Sequence, residues 1–111
     1  MIDWQKEFNS AITVCDTNGI IVYANDKSQK TFEKDSTGSL VGQNLFECHP
    51  DKANEIINDM MANQKTNVYT IEKKGVKKLI FQAPWYENGQ FKGLVEISHV
   101  IPFEIPHFIR S

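Results

Sequence analysis

Two asparagines, Asn18 and Asn88, are each followed by glycine, and these Asn-Gly pairs constrain the fold more than any other feature of the sequence. An Asn-Gly pair supplies the positive φ angles that a tight β-hairpin turn requires. Lys74-Gly75 is a weaker turn signal of the same kind. Strand-like runs flank each turn: residues 12–15 and 20–23 around Asn18-Gly19, and residues 68–71 and 76–83 around Lys74-Gly75. The last turn, Asn88-Gly89, is flanked by residues 79–85, which continue the preceding run, and by residues 94–100. They predict five strands, two before and three after a central segment, with antiparallel partners across each turn.

The central segment has the periodicity of helices. Residues 51–64 place apolar side chains on one helical face, at Ala53, Ile56, Ile57, Met60 and Met61. Asn25 can cap a shorter helix that runs to about residue 34, with Phe32 as its apolar anchor. Trp4 and Phe8 lie four residues apart, which favours a short leading helix within residues 1–9. Strands, then helices, then strands predict an α+β domain with helices packed on one face of an antiparallel sheet.

The composition is that of one globular domain. With 111 residues, 41% apolar and 23% charged, the chain is long enough for one hydrophobic core, and disorder is excluded. A net charge of -2 lacks the basic excess that a nucleic-acid surface requires. The longest apolar run, residues 20–24, is too short to span a bilayer, and no secretory signal is visible. Cys15 and Cys48 match neither a zinc site nor a disulfide framework, so we expect reduced thiols in a cytoplasmic protein.

Residues 16–25, Asp-Thr-Asn-Gly-Ile-Ile-Val-Tyr-Ala-Asn, resemble the opening of a PAS domain, in which Asp, Gly, Ile, Tyr and Asn recur at these spacings. Residues 41–46 and the following His49-Pro50-Asp51 are similar to the family's Gly-x-x-Leu-Phe and His-Pro-Asp segment. The resemblance covers residues 10–101 and implies a five-stranded antiparallel sheet of order 2-1-5-4-3, with helices that enclose a cavity. We therefore divide the chain into residues 1–9, the PAS-like residues 10–101, and a proline-containing tail, residues 102–111.

Several cofactors that the resemblance implies can be tested against single residues. Photoreactive flavin members carry a Cys after Gly-x-Asn, whereas Leu45 follows Gly42-Gln43-Asn44 here, so no flavin adduct is expected. Haem members generally use a His of the long helix, and residues 52–65 contain none. We expect no cofactor. The alternatives left open are haem bound through His49, with Cys48 beside it, and a non-covalently bound flavin.

The sequence does not identify an enzyme. It has no Gly-x-Ser-x-Gly elbow, no phosphate-binding loop and no His-Glu-x-x-His motif. His99 and His107 have no companions at metal-ligand spacing, so no metal site is expected. The four lysines around Gly75 are interpreted as a solvated hairpin tip. We expect a protein without catalytic residues.

A cavity between the long helix and the sheet is the predicted binding site. An apolar or aromatic small molecule would fill it if the side chains leave a void, and polar groups would orient that molecule. If the side chains interlock completely, the domain is a ligand-free interaction module. The candidate pocket residues are Phe32, Asn44, Leu45, Ile56, Ile57, Met60, Tyr69, Phe81, Ile97 and His99.

The tail carries large apolar residues between two prolines, Pro102 and Pro106, which prevent it from continuing as a regular helix or central strand. Such residues should cover a surface, either of their own sheet or of a second copy, and PAS-like domains often dimerise through the sheet and the leading helix. The candidate homodimer contacts are Trp4, Phe8, Phe103, Ile105 and Phe108.

Taken together, these features predict a non-catalytic sensory or signalling module that binds a small molecule or a protein partner. Its signalling partner is unknown, and neither nucleic acid nor membrane is expected as a partner. The alternatives are a ligand-free dimerisation or interaction domain, and a haem or flavin redox or gas sensor. The chain either belongs to a longer receptor or acts on other proteins in trans.

Overall fold

The glycine-containing turns close β-hairpins in the computed structural model, which describes residues 2–32, 38–48 and 51–111, with Cys48 described by its backbone only. At Lys74-Gly75 and Asn88-Gly89, both turn residues have φ between 52° and 80°. Two consecutive positive φ values define the type I′ turn of a two-residue hairpin loop. The first turn differs, because the Asp16 carboxylate closes it by accepting from the backbone N–H groups of Asn18 and Ile20 at 2.9 and 3.0 Å.

Five strands and three helices make up the described structure. The strands are β1 (Ala11–Cys15), β2 (Ile21–Ala24), β3 (Asn67–Lys73), β4 (Val76–Glu87) and β5 (Gln90–Ile101). The helices are α1 (Asp26–Phe32), α2 (Leu45–Cys48) and α3 (Asp51–Asn63). All neighbouring strands are antiparallel and follow the order β2-β1-β5-β4-β3. The predicted α+β architecture and the strand order 2-1-5-4-3 are therefore confirmed.

The leading segment, here residues 2–10, forms turns over residues 4–7 where a short helix is predicted. The backbone N–H of Phe8 donates to the carbonyl of Gln5 at 3.3 Å, which closes a single turn. One turn fixes several dihedral angles for one hydrogen bond, so a helix does not propagate from it. The segment is instead held by Asn25 at the start of α1, whose amide nitrogen donates to the carbonyls of Gln5 and Ser10 at 2.9 and 2.8 Å.

Strand pairing divides the sheet into two faces, because directly paired residues of an antiparallel sheet point to the same side. One face, here called the inner face, packs beneath the helices. Its two central rows are Asn67, Gln82, Glu96 and Thr13, and Tyr69, Ile80, Ser98 and Ala11. The outer face carries the alternate rows, Val68, Phe81, Ile97 and Ile12, and Thr70, Leu79 and His99.

The core lies between α3 and the ends of the central strands. Cys15, Ile57, Met60 and Leu94 form its buried cluster, and Leu45, Phe46 and Met61 pack against that cluster. Gly93 makes the close approach of β5 to β1 possible, because a Cβ at its φ of 142° would lie 2.0 Å from the carbonyl oxygen of Cys15. The indole N–H of Trp85 donates to the same oxygen at 3.0 Å, so β1, β4 and β5 meet at this point.

Candidate ligand cavity

A cavity of about 600 Å³ lies between the inner face of the sheet and residues of α1, of α2 and of the stretch 38–44 that precedes α2. This volume is in the range of pockets that hold small organic ligands. Its apolar lining is Ile21, Phe32, Leu40, Leu45, Ile71 and Ile80. Its polar and charged lining is Thr13, Thr31, Gln43, Glu47, Tyr69, Lys78, Glu96 and Ser98.

Among the polar residues of this lining, Glu96 is held by a chain of hydrogen bonds from the sheet. The amide N–H of Gln82 donates to the Glu96 carboxylate at 2.7 Å, and the amide N–H of Asn67 donates to the carbonyl oxygen of Gln82 at 3.1 Å. These three residues occupy one inner row on β3, β4 and β5, so their order follows directly from strand register. The relay fixes the orientation of the Gln82 amide and, through it, of the Glu96 carboxylate.

Tyr69 lies beside this relay on the next inner row. Burial and then the negative charge of Glu96 raise the pKa of the Tyr69 hydroxyl, and a hydrogen bond with Gln82 acts in the opposite direction. The phenol is therefore neutral at physiological pH and can donate as well as accept a hydrogen bond. It gives the cavity an aromatic wall with a polar end.

The helical wall is organised by α1. Ser28 is completely buried and its hydroxyl contacts that of Thr13, which places this part of α1 against β1. Further along, Gln29 accepts from the backbone N–H of Leu40 at 2.9 Å and donates to the carbonyl of Gly38 at 2.9 Å. These bonds hold Leu40, which is 5% exposed, at the cavity wall together with Phe32.

A second cavity, of about 60 Å³, lies deeper between α3 and the sheet. It has room for a few water molecules and is too small for an organic ligand. Cys15, Ile57, Met60 and Leu94 line it, and burial raises the pKa of the Cys15 thiol. Thr13, Leu45 and Glu96 line both cavities, so the Glu96 side chain lies where the large cavity adjoins the small one.

Some of the predicted pocket residues line the large cavity, some line the small one, and the others line neither. Phe32, Leu45 and Tyr69 line the large cavity, and Leu45, Ile57 and Met60 line the small one. Asn44 has a different position, because its side-chain oxygen accepts from the backbone N–H of Phe46 at 2.9 Å at the start of α2. Ile56 is 50% exposed, since it is rotated by about 100° from Ile57 around the helix and faces away from the sheet.

Phe81, Ile97 and His99 require a correction, because they lie on the outer face and line neither cavity. A shift of one residue along a strand exchanges the two faces. On β5 the polar Glu96 and Ser98 lie on inner rows while the apolar Val95 and Ile97 lie on outer rows, so hydrophobic alternation indicated the wrong side. His99 instead contacts the leading segment, with its Nδ1 2.6 Å from the hydroxyl of Ser10.

Several cavity residues were not anticipated from the sequence. Glu96 on β5, Glu47 in α2 and Gln43 before α2 are charged or polar and had no motif to distinguish them. Lys78 was interpreted as part of a solvated hairpin tip, but it lies on β4 and lines the cavity. The signal that could have identified Glu96 and Ile80 is the alternation of faces along the paired strands. Once Ser98 is assigned to the cavity, Glu96 two residues earlier and Ile80 opposite Ser98 must share its face.

The candidate dimer residues are all accessible. Trp4, Phe8, Phe103, Ile105 and Phe108 are between 49% and 68% exposed. The rings of Trp4 and Phe8 pack edge to face with their centroids 5.3 Å apart. In the tail, the carbonyl of Phe103 accepts from the Lys77 ammonium at 3.4 Å, which connects the tail to β4.

The predictions of haem ligation concern His49, which lies outside the described residues, as does the side chain of Cys48. The described lining of the large cavity contains no His, Cys or Met. Within residues 2–32, 38–48 and 51–111, no group of three or more His, Cys, Asp or Glu side chains is placed to hold a metal ion. Over the same residues, no helix has the length and apolar character needed to cross a membrane.

Several solved structures are similar to this chain in fold. The C-terminal domain of a protein from Streptococcus mutans has a TM-score of 0.69 and 22% identity, and the match covers 86% of this chain and 78% of that one. The PAS domain of the histidine kinase ThkA has a TM-score of 0.65 and 18% identity, over 83% of this chain and 99% of that one.

The Aer2 receptor from Vibrio cholerae, a dual PAS-haem oxygen sensor, is also similar, with a TM-score of 0.59 and 19% identity over 84% of this chain and 95% of that one. Neither a protein-family model nor a curated protein sequence matches the chain significantly. At these identities the likeness concerns the fold, and the chain therefore has a PAS-like fold.

Proposed function

We propose that this chain is a non-catalytic sensory module, which binds a small molecule in the large cavity and transmits occupancy through its sheet to a protein partner. The observation that carries the proposal is the cavity of about 600 Å³, in which an apolar wall faces oriented polar groups. This combination of apolar surface with a few fixed polar groups is typical of small-molecule sites. The similarity to PAS domains of sensor kinases supports a sensory role.

The sheet offers a direct physical connection from the cavity to the outer surface. Ile80, Glu96 and Ser98 line the cavity, and their sequence neighbours Phe81, Ile97 and His99 lie on the outer face of the same strands. A ligand that shifts the backbone at the inner residues also moves the outer residues next to them in the sequence. Through the contact of His99 with Ser10, such a shift also reaches the leading segment.

The partner that best fits this surface is a second copy of the chain. Val68 and Phe81 on the outer face are 54% and 38% exposed, and the leading segment and the tail add further exposed aromatic rings. Exposed apolar patches on soluble domains mark interaction surfaces. We therefore include a homodimer, formed through Trp4, Phe8, Phe103, Ile105 and Phe108, in the proposal.

Native mass spectrometry of the purified protein, before and after incubation with a small-molecule extract of the cells that produced it, tests ligand binding. We expect one additional mass per chain that is lost on denaturation. Ser98→Leu places a larger side chain on the cavity wall and should abolish the additional mass, because Ser98 lines the cavity and is 7% exposed. Thr70→Leu makes the same kind of substitution on the outer face and should retain it.

Two results would contradict the proposal. If the wild-type chain acquires no additional mass under either condition, the ligand-free interaction domain is the better description. If both variants retain the ligand, the molecule binds elsewhere. An absorption spectrum of the same sample addresses the haem and flavin alternatives, because we expect no band beyond that of the aromatic residues.

A further inference from the structure

The charged groups of the large cavity specify the kind of ligand, an inference that rests on the proposed small-molecule function. Glu96 is the charged residue held most firmly in the described lining, because one of its carboxylate oxygens accepts from Gln82 at 2.7 Å. The Gln82 amide is itself held by Asn67. The carboxylate is therefore fixed by two strands before any ligand arrives.

No cation balances this carboxylate in the part of the chain that the structure describes. The ion pairs there join Lys6 to Asp26 and Lys65 to Asp59, and neither involves Glu96. The one lysine in the described lining is Lys78, four residues before Gln82 on β4. Four residues of strand span roughly 13 Å, so Lys78 lies toward the opposite end of this wall. With Glu47 also present, the described lining carries two acidic groups and one basic group.

A partly buried carboxylate that borders an apolar cavity loses hydration and gains strongly from a charged hydrogen-bond donor. From this geometry we infer that the ligand is a small organic amine, protonated at neutral pH, whose nitrogen donates to Glu96. Its apolar or aromatic body lies against Phe32, Leu40 and Ile80. Tyr69, which adjoins Glu96 and Gln82, supplies an aromatic wall next to the bound cation.

Matched pairs of compounds test this inference by isothermal titration calorimetry. Tryptamine and indole-3-propionate share the indole body and carry opposite charges, as do phenethylamine and phenylpropionate. Each amine should bind at least about tenfold more tightly than its acid, because a hydrogen bond to a charged group contributes that much. Glu96→Gln should remove this preference, whereas Glu104→Gln, in the exposed tail, should leave it unchanged.

The outcomes separate this inference from the proposed function. If amines and acids bind equally, or acids bind more tightly, and Ser98→Leu abolishes that binding, the cavity is a ligand site and the amine inference is wrong. The inference is also wrong if Glu96→Gln, shown by circular dichroism to be folded, keeps the preference for amines. If no amine binds, the inference fails, while the native mass measurement still decides the proposed function.

Discussion

At the scale of single residues, Asn25 joins more parts of the chain than any other side chain discussed above. It is 1% exposed, and its side-chain oxygen accepts from the backbone N–H groups of Ile12 and Ser28 at 2.9 and 3.0 Å. Its amide nitrogen donates to two carbonyls of the leading segment, as described for the fold. One amide therefore caps α1, fixes β1 and holds the leading segment, with all its main hydrogen-bonding positions used.

Asn25→Ala should lower the free energy of unfolding by about 3 kcal/mol, because it leaves buried backbone groups unsatisfied and removes a helix cap. Urea unfolding followed by circular dichroism measures the change. Asn58→Ala, at an exposed position of α3, is the matched control and should change the stability by less than about 0.5 kcal/mol. Similar losses for both variants would show that the network around Asn25 contributes little.

The buried thiol of Cys15 should make the stability of the folded chain depend on pH. Burial raises its pKa above the ordinary value of 9.0, while a hydrogen bond with the backbone of Leu94 acts in the opposite direction. The unfolded chain therefore loses this proton first as the pH rises, and the folded state is destabilised from about pH 9 up to the folded-state pKa. Below pH 9 the thiol is protonated in both states, so its contribution to the free energy of unfolding does not change with pH.

The measurement compares the free energy of unfolding of the wild type and Cys15→Ala at pH 7.5, 9 and 10 under reducing conditions. The difference between the two proteins should shrink by up to about 1.4 kcal/mol per pH unit above pH 9. Other groups that titrate in this range are present in both proteins and cancel in the difference. A constant difference would mean that the thiol is as hydrated in the folded chain as in the unfolded one.

At the scale of elements, α3 packs along a narrower stripe than its sequence pattern indicates. Ile57 and Met60 are buried, whereas Ile56 is half exposed. Ile57→Ala should therefore cost about 2 to 4 kcal/mol of stability, because it opens space in the central cluster. Ile56→Ala, the same substitution one position earlier, should cost less than about 1 kcal/mol. Thermal unfolding of the two variants measures the contrast, and equal losses would place both side chains in the core.

At this scale the sequence predicts well the features that depend on neighbouring residues, namely turns, helix periodicity and helix caps. The hairpins follow from glycines with positive φ, and α3 follows from the spacing of its apolar residues. The cap of α1 follows from Asn25, which accepts from the N–H of Ser28 three residues later. These features and the PAS resemblance together were sufficient to predict the strand order.

The faces of the long strands could not be predicted in the same way. Alternation identifies the buried face only when the buried face is the apolar one. Here the inner face borders a cavity and carries Thr13, Glu96 and Ser98, while Phe81 and Val68 are exposed on the outer face. Because polar residues occupy these inner positions, the apolar alternation pointed to the opposite face, and three candidate residues were assigned to the wrong side.

At the scale of the whole molecule, the proposed homodimer can be compared with the surface available for it. A stable dimer buries roughly 800 Å² per partner, about a tenth of the 8127 Å² that this chain exposes. Large aromatic side chains present about 100 Å² each when half exposed, so the five candidate residues supply roughly 500 Å². Val68 and Phe81 on the outer face are 54% and 38% exposed and together add less than roughly 200 Å². These seven residues therefore account for most of the area that a stable dimer needs, with no contribution from the cavity side.

Sedimentation velocity should accordingly show a dimer at micromolar concentration that dissociates on dilution. Phe103→Asp should shift the equilibrium toward monomer by at least about tenfold, because an aspartate must lose its hydration to enter an apolar interface. Since Phe103 is 53% exposed, the substitution should leave the melting temperature of the monomer nearly unchanged. Val41→Asp, at a similarly exposed site before α2, is the control and should dimerise as the wild type does. A wild type that remains monomeric at high micromolar concentration, or a Val41→Asp variant that dissociates as readily as Phe103→Asp, would contradict a dimer formed through the leading segment and the tail.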